Sequence, residues 1–541
     1  MDSLSDCLEK FIEFTAWEMT KPKAYGPFHL IFTFVGFSLL MFLAWKLRNL
    51  SERGNRILLI CVSVFLMITE LYKQLFYYFH IENEEYNFGT MDDMRELIRE
   101  MHSRGMKLIM DLVPNHTSDQ HKWFLESKKS KDNPYSDYYY WFDKPINDWR
   151  ASFGGSVWEY VPERNQYYLH SYTIGQPDLN WDNPKVVKEM QDVVDFWVDM
   201  GADGFRIDVI DQISKDFEKG RNCFGPNLHK YINLLFGREK TARLFTVGEC
   251  WANDIEEIKR HIDADRNELS TLFQFDHLEA GRSEKFTPME DSLCTVRDIL
   301  VKWQTLTGQH DLLYSLFTDN HDNPPFISRA GNDKELRYES ATCIATMFYL
   351  LKGVPFIYQG QEFGIASSHY DDMSYFDDVE SFDMFNRLVE SGLSEKEAIE
   401  KINFGGRDNA RRPVPWNGGV GGGFSEAKTW IPLSSRVEEI NLENDLASQK
   451  SVFRFYKKLL SLRKENTAFI NGDFTAVSKT EDKYFVYTRI FEDEKFTVVC
   501  NFEQESVIEC GNFGKLVLAN YKDRTANESH FRPYEIAVYR G

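Results

Sequence analysis

The run VVKEMQDVVDFWVDM (186–200), followed almost at once by DGFRIDVI (203–210), decides the fold of this chain. The first part repeats apolar residues at helical spacing, and the second is a short strand that is apolar at nearly every position. Strands of that kind are buried on both faces, as in a parallel sheet covered by helices. The same pattern recurs in MKLIMDLVPNH (106–116), RLFTVGEC (243–250), STLFQFDH (270–277), LLYSLFTDNHD (312–322) and GVPFIYQGQE (353–362), with helical stretches between. Alternating helix and doubly buried strand predicts parallel βα units. Polar residues cluster where these strands end: Asn115 and His116, Asp208, Glu249, Asp322. Reactive groups gathered at the C-terminal ends of parallel strands are the active-site arrangement of a (β/α)8 TIM barrel.

Upstream of the first such strand, Thr90 and Asp93 predict a capping box. Met94, Leu97, Ile98 and Met101 then form an apolar helix stripe, and Gly105 ends that helix. Residues 117–182, rich in Trp and Tyr (YSDYYYWFD, 135–143), are too long for a structureless loop and predict a small inserted domain. From residue 468, alternating runs such as KYFVYTRIF (483–491) and KFTVVCNF (495–502) predict an antiparallel β domain. The organisation is therefore an N-terminal segment (1–87), a barrel start (88–116), the insert (117–182), the rest of the barrel (183–467) and the β domain (468–541).

The N-terminal segment differs in kind. FHLIFTFVGFSLLMFLAWKL (28–47) is long and apolar enough to span a bilayer, and residues 57–79 form a second run interrupted by Glu70 and Lys73. Lys46, Arg48, Arg53 and Arg56 place the connecting loop on the cytoplasmic side. The expectation is a transmembrane hairpin, hence a membrane partner and location. The segment resembles the first two helices of a family of small multispanning bacterial membrane proteins.

Composition narrows the function. A net charge of −21 and a pI near 5.2 argue against a nucleic-acid partner. The aromatic fraction of 15% supplies flat surfaces suited to stacking on sugars, although core packing uses Phe more often. The eight cysteines show neither a CxxC pair nor zinc-like spacing, so neither a disulfide framework nor cysteine chemistry is indicated.

Within GFRIDVI, strand alternation puts Arg206 and Asp208 on one face and Phe205, Ile207 and Val209 on the other. An arginine two residues before a carboxylate favours its ionised form. A carboxylate ending one strand and Glu249 ending the next converge across a barrel mouth. Paired carboxylates about 5–5.5 Å apart are what a retaining glycosidase needs: one attacks the anomeric carbon, the other protonates the leaving oxygen and later activates water. Asp322, beside His321, is a third acid suited to binding sugar hydroxyls and steadying a cationic transition state.

Taken together, DLVPNH (111–116), QPDLNW (176–181), GFRIDVI (204–210), GECW (248–251) and DNHD (319–322) resemble the α-amylase superfamily, glycoside hydrolase family 13, from about Phe88 onward. LIMDLVPNHTSDQH (108–121), YYLHSYTIGQPDLNWDNP (167–184), YQGQEFG (358–364) and RDNARRPVPW (407–416) are most similar to its oligo-1,6-glucosidase, dextran glucosidase and maltase branch. The resemblance implies a retaining α-glucosidase on short oligosaccharides, with no cofactor and no catalytic metal. It implies Asp208 as nucleophile, Glu249 as acid/base and Asp322 as transition-state stabiliser. His116, Arg206, His321 and Arg411 match residues of the non-reducing glucose subsite, Tyr172 an apolar wall usually built by Phe, and Gln176 a residue near the aglycone. Val209 resembles the α-1,6-preferring members, where α-1,4-preferring ones tend to carry Thr or Ala. The sequence departs from the pattern at DNPP (322–325), where relatives commonly have Gln and Arg after the Asp.

By this resemblance the strand at 106–112 matches the family's third. Of a barrel of ~250 residues, roughly fifty or more would then be missing, including the first two strands. The same loss would remove the aspartate that normally balances Arg411, leaving that arginine without its partner. Two functions of different class follow. One is a glucosidase, cytoplasmic like those it resembles if the hairpin is discounted. The other is a non-catalytic membrane-anchored protein, like transporter heavy chains with an amylase-type ectodomain, or an inactive fusion product.

Overall fold

Helix α1 (Met91–Ser103) opens on the anticipated cap: Thr90 N donates to Asp93 Oδ2 (2.6 Å) and Asp93 N to Thr90 Oγ1 (3.0 Å). The computed structural model describes residues 89–541 apart from Asn267, residues 290–291 and residues 510–512. Of the predicted stripe, Ile98 is buried whereas Leu97 is exposed, because one turn of a helix brings only part of a broad stripe onto the covered face.

The βα rhythm then appears as read. Strand β1 (Ile109–Leu112) is followed by α2 (Pro184–Met200), β2 (Gly204–Ile207), α3 (Leu228–Phe236), β3 (Phe245–Glu249) and α4 (Ile255–Ile262). Then come β4 (Thr271–Phe273), α5 (Ser292–Gln309), β5 (Ser315–Leu316), α6 (Arg337–Tyr349) and β6 (Val354–Pro355). Local chemistry sets the boundaries of α2. Asn183 accepts from Lys185 N, Pro184 occupies the first turn where no amide partner is needed, and Gly201 ends the helix at φ 109°.

Strands β1, β2, β3 and β4 form one continuous parallel ladder, and β5 pairs in parallel with β6. Thr271 Oγ1 donates to the Leu313 carbonyl (2.8 Å) and the rings of Phe273 and Phe317 meet at 5.1 Å, which joins β4 to the β5 pair. Inside the curve Phe356 meets Phe273 at 4.8 Å and Phe245 at 6.4 Å. Six parallel strands are thus seen among the described residues; there, β1 has β2 as its ladder partner and β6 has β5. Outside the curve Phe205 and Ile207 are fully buried in a layer with Val186, Met190 and Val194 of α2 and Leu235 and Phe236 of α3.

The segment after β1 carries a three-stranded antiparallel sheet (Trp141–Phe142, Gln166–Leu169, Trp158–Val161). It returns to the barrel through Leu179 N to the Asn115 carbonyl (2.8 Å) and the Trp181 indole to the Pro114 carbonyl (2.8 Å). At the C-terminus a five-stranded antiparallel sheet (from Asp473–Ala476 to Ile536–Arg540) packs on α6 and on helix Val452–Glu465. Cys223, Cys250, Cys294, Cys343 and Cys500 are free thiols. The two candidate membrane spans, 28–47 and 57–79, lie outside the described residues. Among the described residues no helix is long and apolar enough to cross a membrane.

Candidate active site

Position 204 must be glycine: a Cβ there would stand 1.9 Å from the Phe245 carbonyl oxygen of the neighbouring strand. That close approach sets β2 tightly against β3, with Arg206 opposite Val247 and Ile207 opposite Gly248. Arg206 consequently sits between three carboxylates. Its Nη1 donates to Asp111 Oδ1 (2.9 Å) and Asp208 Oδ1 (2.7 Å), and its Nη2 to Glu249 Oε2. Burial opposes the charge of Arg206, but Glu249, Asp111 and Asp208 outweigh it and raise its pKa. Burial also pushes Glu249 up to about 8; Arg206 counteracts this, while the charges of Asp208 and Asp322 and a hydrogen bond to Asp208 add to it. Burial and its acidic neighbours thus hold Glu249 toward its neutral acid form, against the pull of Arg206.

The backbone holds the pair. Asp208 N donates to the Leu112 carbonyl across the ladder (2.8 Å). Val209, predicted to continue the strand, instead turns the chain at φ 34°, ψ 52°, a left-handed conformation that costs a β-branched residue about 1–3 kcal/mol. It is 4% exposed. The turn is tied to the end of β3 by Asp211, whose Oδ2 accepts from Trp251 N (3.3 Å) and whose pKa burial raises to about 6.

The opposite flank is built from loops. Asp322 Oδ1 accepts from Arg407 Nη1 and Arg411 Nη2, both at 3.2 Å, and Oδ2 lies 3.1 Å from His321 Nε2. Burial opposes ionisation of Asp322, yet His321, Arg407, Arg411 and Lys285 together hold its pKa below the usual carboxylate value. Both arginines also bind Asp378, Arg407 Nη2 to Oδ1 and Arg411 Nη1 to Oδ2, each at 3.0 Å. Arg411 Nε donates to the His321 carbonyl (2.9 Å). The expectation of an unbalanced Arg411 is therefore wrong. Asp378, at the start of helix Val379–Glu390, and Asp322 neutralise it from a part of the chain far from the region thought to supply its partner.

The remaining candidates line the wall between these flanks. His116 Nε2 lies 2.9 Å from Gln176 Nε2, and the His116 ring is 5.4 Å from Tyr172. Tyr172 in turn meets Phe153 at 5.8 Å, over which the Arg407 guanidinium stacks at 4.4 Å. Burial lowers the pKa of His116 and of His321 and raises that of Tyr172. Beneath it the fully buried pair Lys215–Asp178 (2.7 Å) anchors Asn115 through Lys215 Nζ (2.9 Å).

The geometry gathers the candidates read from the sequence into three groups: Arg206, Asp208 and Glu249, with Val209 next in the chain; His321, Asp322 and Arg411; and His116, Tyr172 and Gln176. Three participants escaped that reading. Asp111 was visible in principle, since alternation in IMDL turns it to the Arg206 side. Arg407 stands one helical turn before Arg411, a usable signal. Asp378 carried none beyond its position as a helix cap.

Residues 74–472 match the family described as Alpha amylase, catalytic domain. The match begins inside the second apolar run, upstream of the position near 88 read from the motifs. The chain is 38% identical to the oligo-1,6-glucosidase of Bacillus cereus over 494 residues, 86% of this chain and 88% of that protein. It is 40% identical to the glucan 1,6-alpha-glucosidase of Streptococcus pneumoniae over 426 residues, covering 77% and 79%. The crystal structure of Bacillus licheniformis trehalose-6-phosphate hydrolase superposes with a TM-score of 0.78 at 37% identity, covering 84% of this chain and 87% of that one. With its parallel strands, its paired carboxylates and this likeness over most of its length, the chain belongs to the alpha-amylase family and is a glycoside hydrolase of the oligo-1,6-glucosidase type.

Proposed function

We propose that the protein hydrolyses terminal α-1,6-glucosidic bonds of short oligosaccharides with retention of anomeric configuration. The observation that carries this reading is that Asp208 and Glu249 converge on one guanidinium, Arg206 donating to Asp208 Oδ1 from Nη1 and to Glu249 Oε2 from Nη2. Carboxyls that close belong to the retaining arrangement, since inverting enzymes keep theirs about 6.5–9.5 Å apart to admit a water.

In the first step Asp208 attacks the anomeric carbon while Glu249 gives its proton to the departing oxygen. In the second, the Glu249 carboxylate takes a proton from water, which attacks the glucosyl–Asp208 ester and restores both groups. Asp322, kept ionised by Arg407 and Arg411, faces the positive charge that develops on the sugar ring. His116, His321, Tyr172 and Arg411 hold the non-reducing glucose, and Gln176 stands toward the aglycone. Val209 shapes the end of β2 where the leaving sugar departs, which favours the α-1,6 linkage over α-1,4.

The test is isomaltose hydrolysis followed by proton NMR. First-formed α-glucose, lost together with activity in Asp208→Asn, supports the reading; first-formed β-glucose refutes it. Unchanged hydrolysis in Asp208→Asn, or no hydrolysis of any α-glucoside by the full chain, favours the non-catalytic, heavy-chain-like alternative.

A further inference from the structure

In the helix layer beside β3, α3 and α4 bring His229, Glu257 and His261 together. One donor atom from each lies within 4.8 Å of the other two. His229 Nε2 is 3.2 Å from Glu257 Oε1, and His261 Nδ1 is 3.8 Å from the same oxygen. Donors on a tetrahedral zinc ion, at bonds of about 2.0 Å, stand about 3.3 Å apart, so little movement is needed to close on one ion.

The surroundings resemble the second layer of a metal site. His229 Nδ1 is 2.8 Å from Glu268 Oε2, so Glu268 fixes the tautomer that leaves Nε2 as a bare lone pair. Arg266 Nη2 in turn holds Glu268 Oε1 at 2.8 Å. His261 is fully buried, with Nδ1 2.9 Å from the Glu257 carbonyl and Nε2 3.9 Å from Cys250 Sγ. An ion on Nδ1 would replace the proton now shared with that carbonyl and move the histidine proton to Nε2, facing the sulfur. His229 and Glu257 are each about one-fifth exposed, which leaves a path for entry.

We propose that His229, Glu257 and His261 bind a divalent ion of the zinc class, with Glu268 and Cys250 as positioning residues. Two imidazoles and one carboxylate favour zinc over magnesium or calcium, which prefer all-oxygen ligands. The ion would clip α3 to α4 and brace the segment that begins at Cys250, directly after Glu249. A proton is the competing occupant.

The full chain, stripped with a chelator, would be titrated with zinc chloride by calorimetry and with cobalt(II) in the visible. One zinc per chain, a rise in Tm with zinc and intense cobalt d–d bands are expected. His229→Gln should abolish all three. Glu268→Gln, which leaves the donors in place, should weaken zinc about tenfold. Absence of cobalt bands in the native chain overturns the proposal even if a variant fails to fold. Zinc binding equal in the native chain and in His229→Gln overturns it too, by placing the ion elsewhere.

Discussion

On one flank of the barrel mouth, Asp208 and Glu249 stand at adjacent strands and share one arginine from the same sheet. On the other, Asp322 stands on a loop after β5 and is gripped by Arg407 and Arg411, which lie 85 and 89 residues further along the chain. The strand flank owes its geometry to pleat and register, so the backbone ladder sets the two carboxyls before any side chain interacts. The loop flank owes its geometry to ion pairs: Asp322 and Asp378 against two guanidiniums, with Glu380 bonded to Lys285 at the edge. Chemistry should accordingly fail in different ways when each flank is damaged.

The largest effect belongs to the strand flank. Asp208→Asn removes the group that forms the covalent intermediate and leaves the fold intact, so kcat should fall about 10⁴-fold or more, about 5.5 kcal/mol in barrier. Azide added to Asp208→Gly should restore turnover and give β-glucosyl azide, because the anion attacks from the face the carboxylate occupied. Loss of less than a factor of ten in Asp208→Asn would remove it from the chemistry.

Next comes the loop flank. Arg407→Met takes away one of two cations from Asp322 and one from Asp378, leaving Arg411 to serve both. We expect kcat/KM for isomaltose to drop about a hundredfold, about 2.7 kcal/mol. Because a buried ionic network loses a partner, Tm should fall as well. A change in kcat/KM with no change in Tm would mean that the arginine acts on substrate alone, and the comparison between flanks would need redrawing.

A pH profile sharpens the same contrast. Glu249 must carry a proton to act as acid, and its folded-state pKa is raised to about 8, so the active form prevails below that value and is lost above it. kcat/KM should therefore decline about tenfold per pH unit above roughly pH 8. Asp322, shifted down rather than up, must be ionised and stays so on the acid side. Glu249→Gln should remove the alkaline limb together with most of the activity. A limb that persists in that variant belongs to another group.

The flanks also differ in how far the sequence revealed them. The strand flank was legible because its signals are local: near-continuous apolar runs, alternation within GFRIDVI, and polar residues at each strand end. The same locality exposed the Thr90–Asp93 cap and the antiparallel sheet near the C-terminus. Runs of ten or so apolar residues overstated strand length, however; β5 and β6 are two residues each, since ladder pairing and not hydrophobicity sets strand limits. The loop flank was legible only as isolated residues. Nothing local relates Arg407 to Asp322 or Asp378 to Arg411, and the error over the balance of Arg411 arose from looking for its partner upstream of β1 alone. The left-handed turn at Val209 also escaped, because a valine ordinarily signals continued strand.

That turn carries the smallest prediction and the finest test of the strand flank. Val209 follows the nucleophile directly, but it is almost wholly buried and its backbone is already strained, so its side chain acts by shaping the strand end more than by touching sugar. Val209→Thr keeps the branched shape and adds a hydroxyl that needs a partner. The isomaltose-to-maltose ratio of kcat/KM should fall about fivefold, about 1 kcal/mol in relative transition-state binding. Val209→Gly separates the two contributions, since glycine accepts φ 34° without penalty but contributes no side chain. If strain sets the carboxyl geometry, the glycine variant should lower turnover of both sugars with little change in their ratio. If side-chain shape sets linkage preference, the ratio should move in Val209→Gly as it does in Val209→Thr. A ratio unchanged in both variants would relocate linkage preference to the loop flank, where Asn323 and Pro324 follow Asp322.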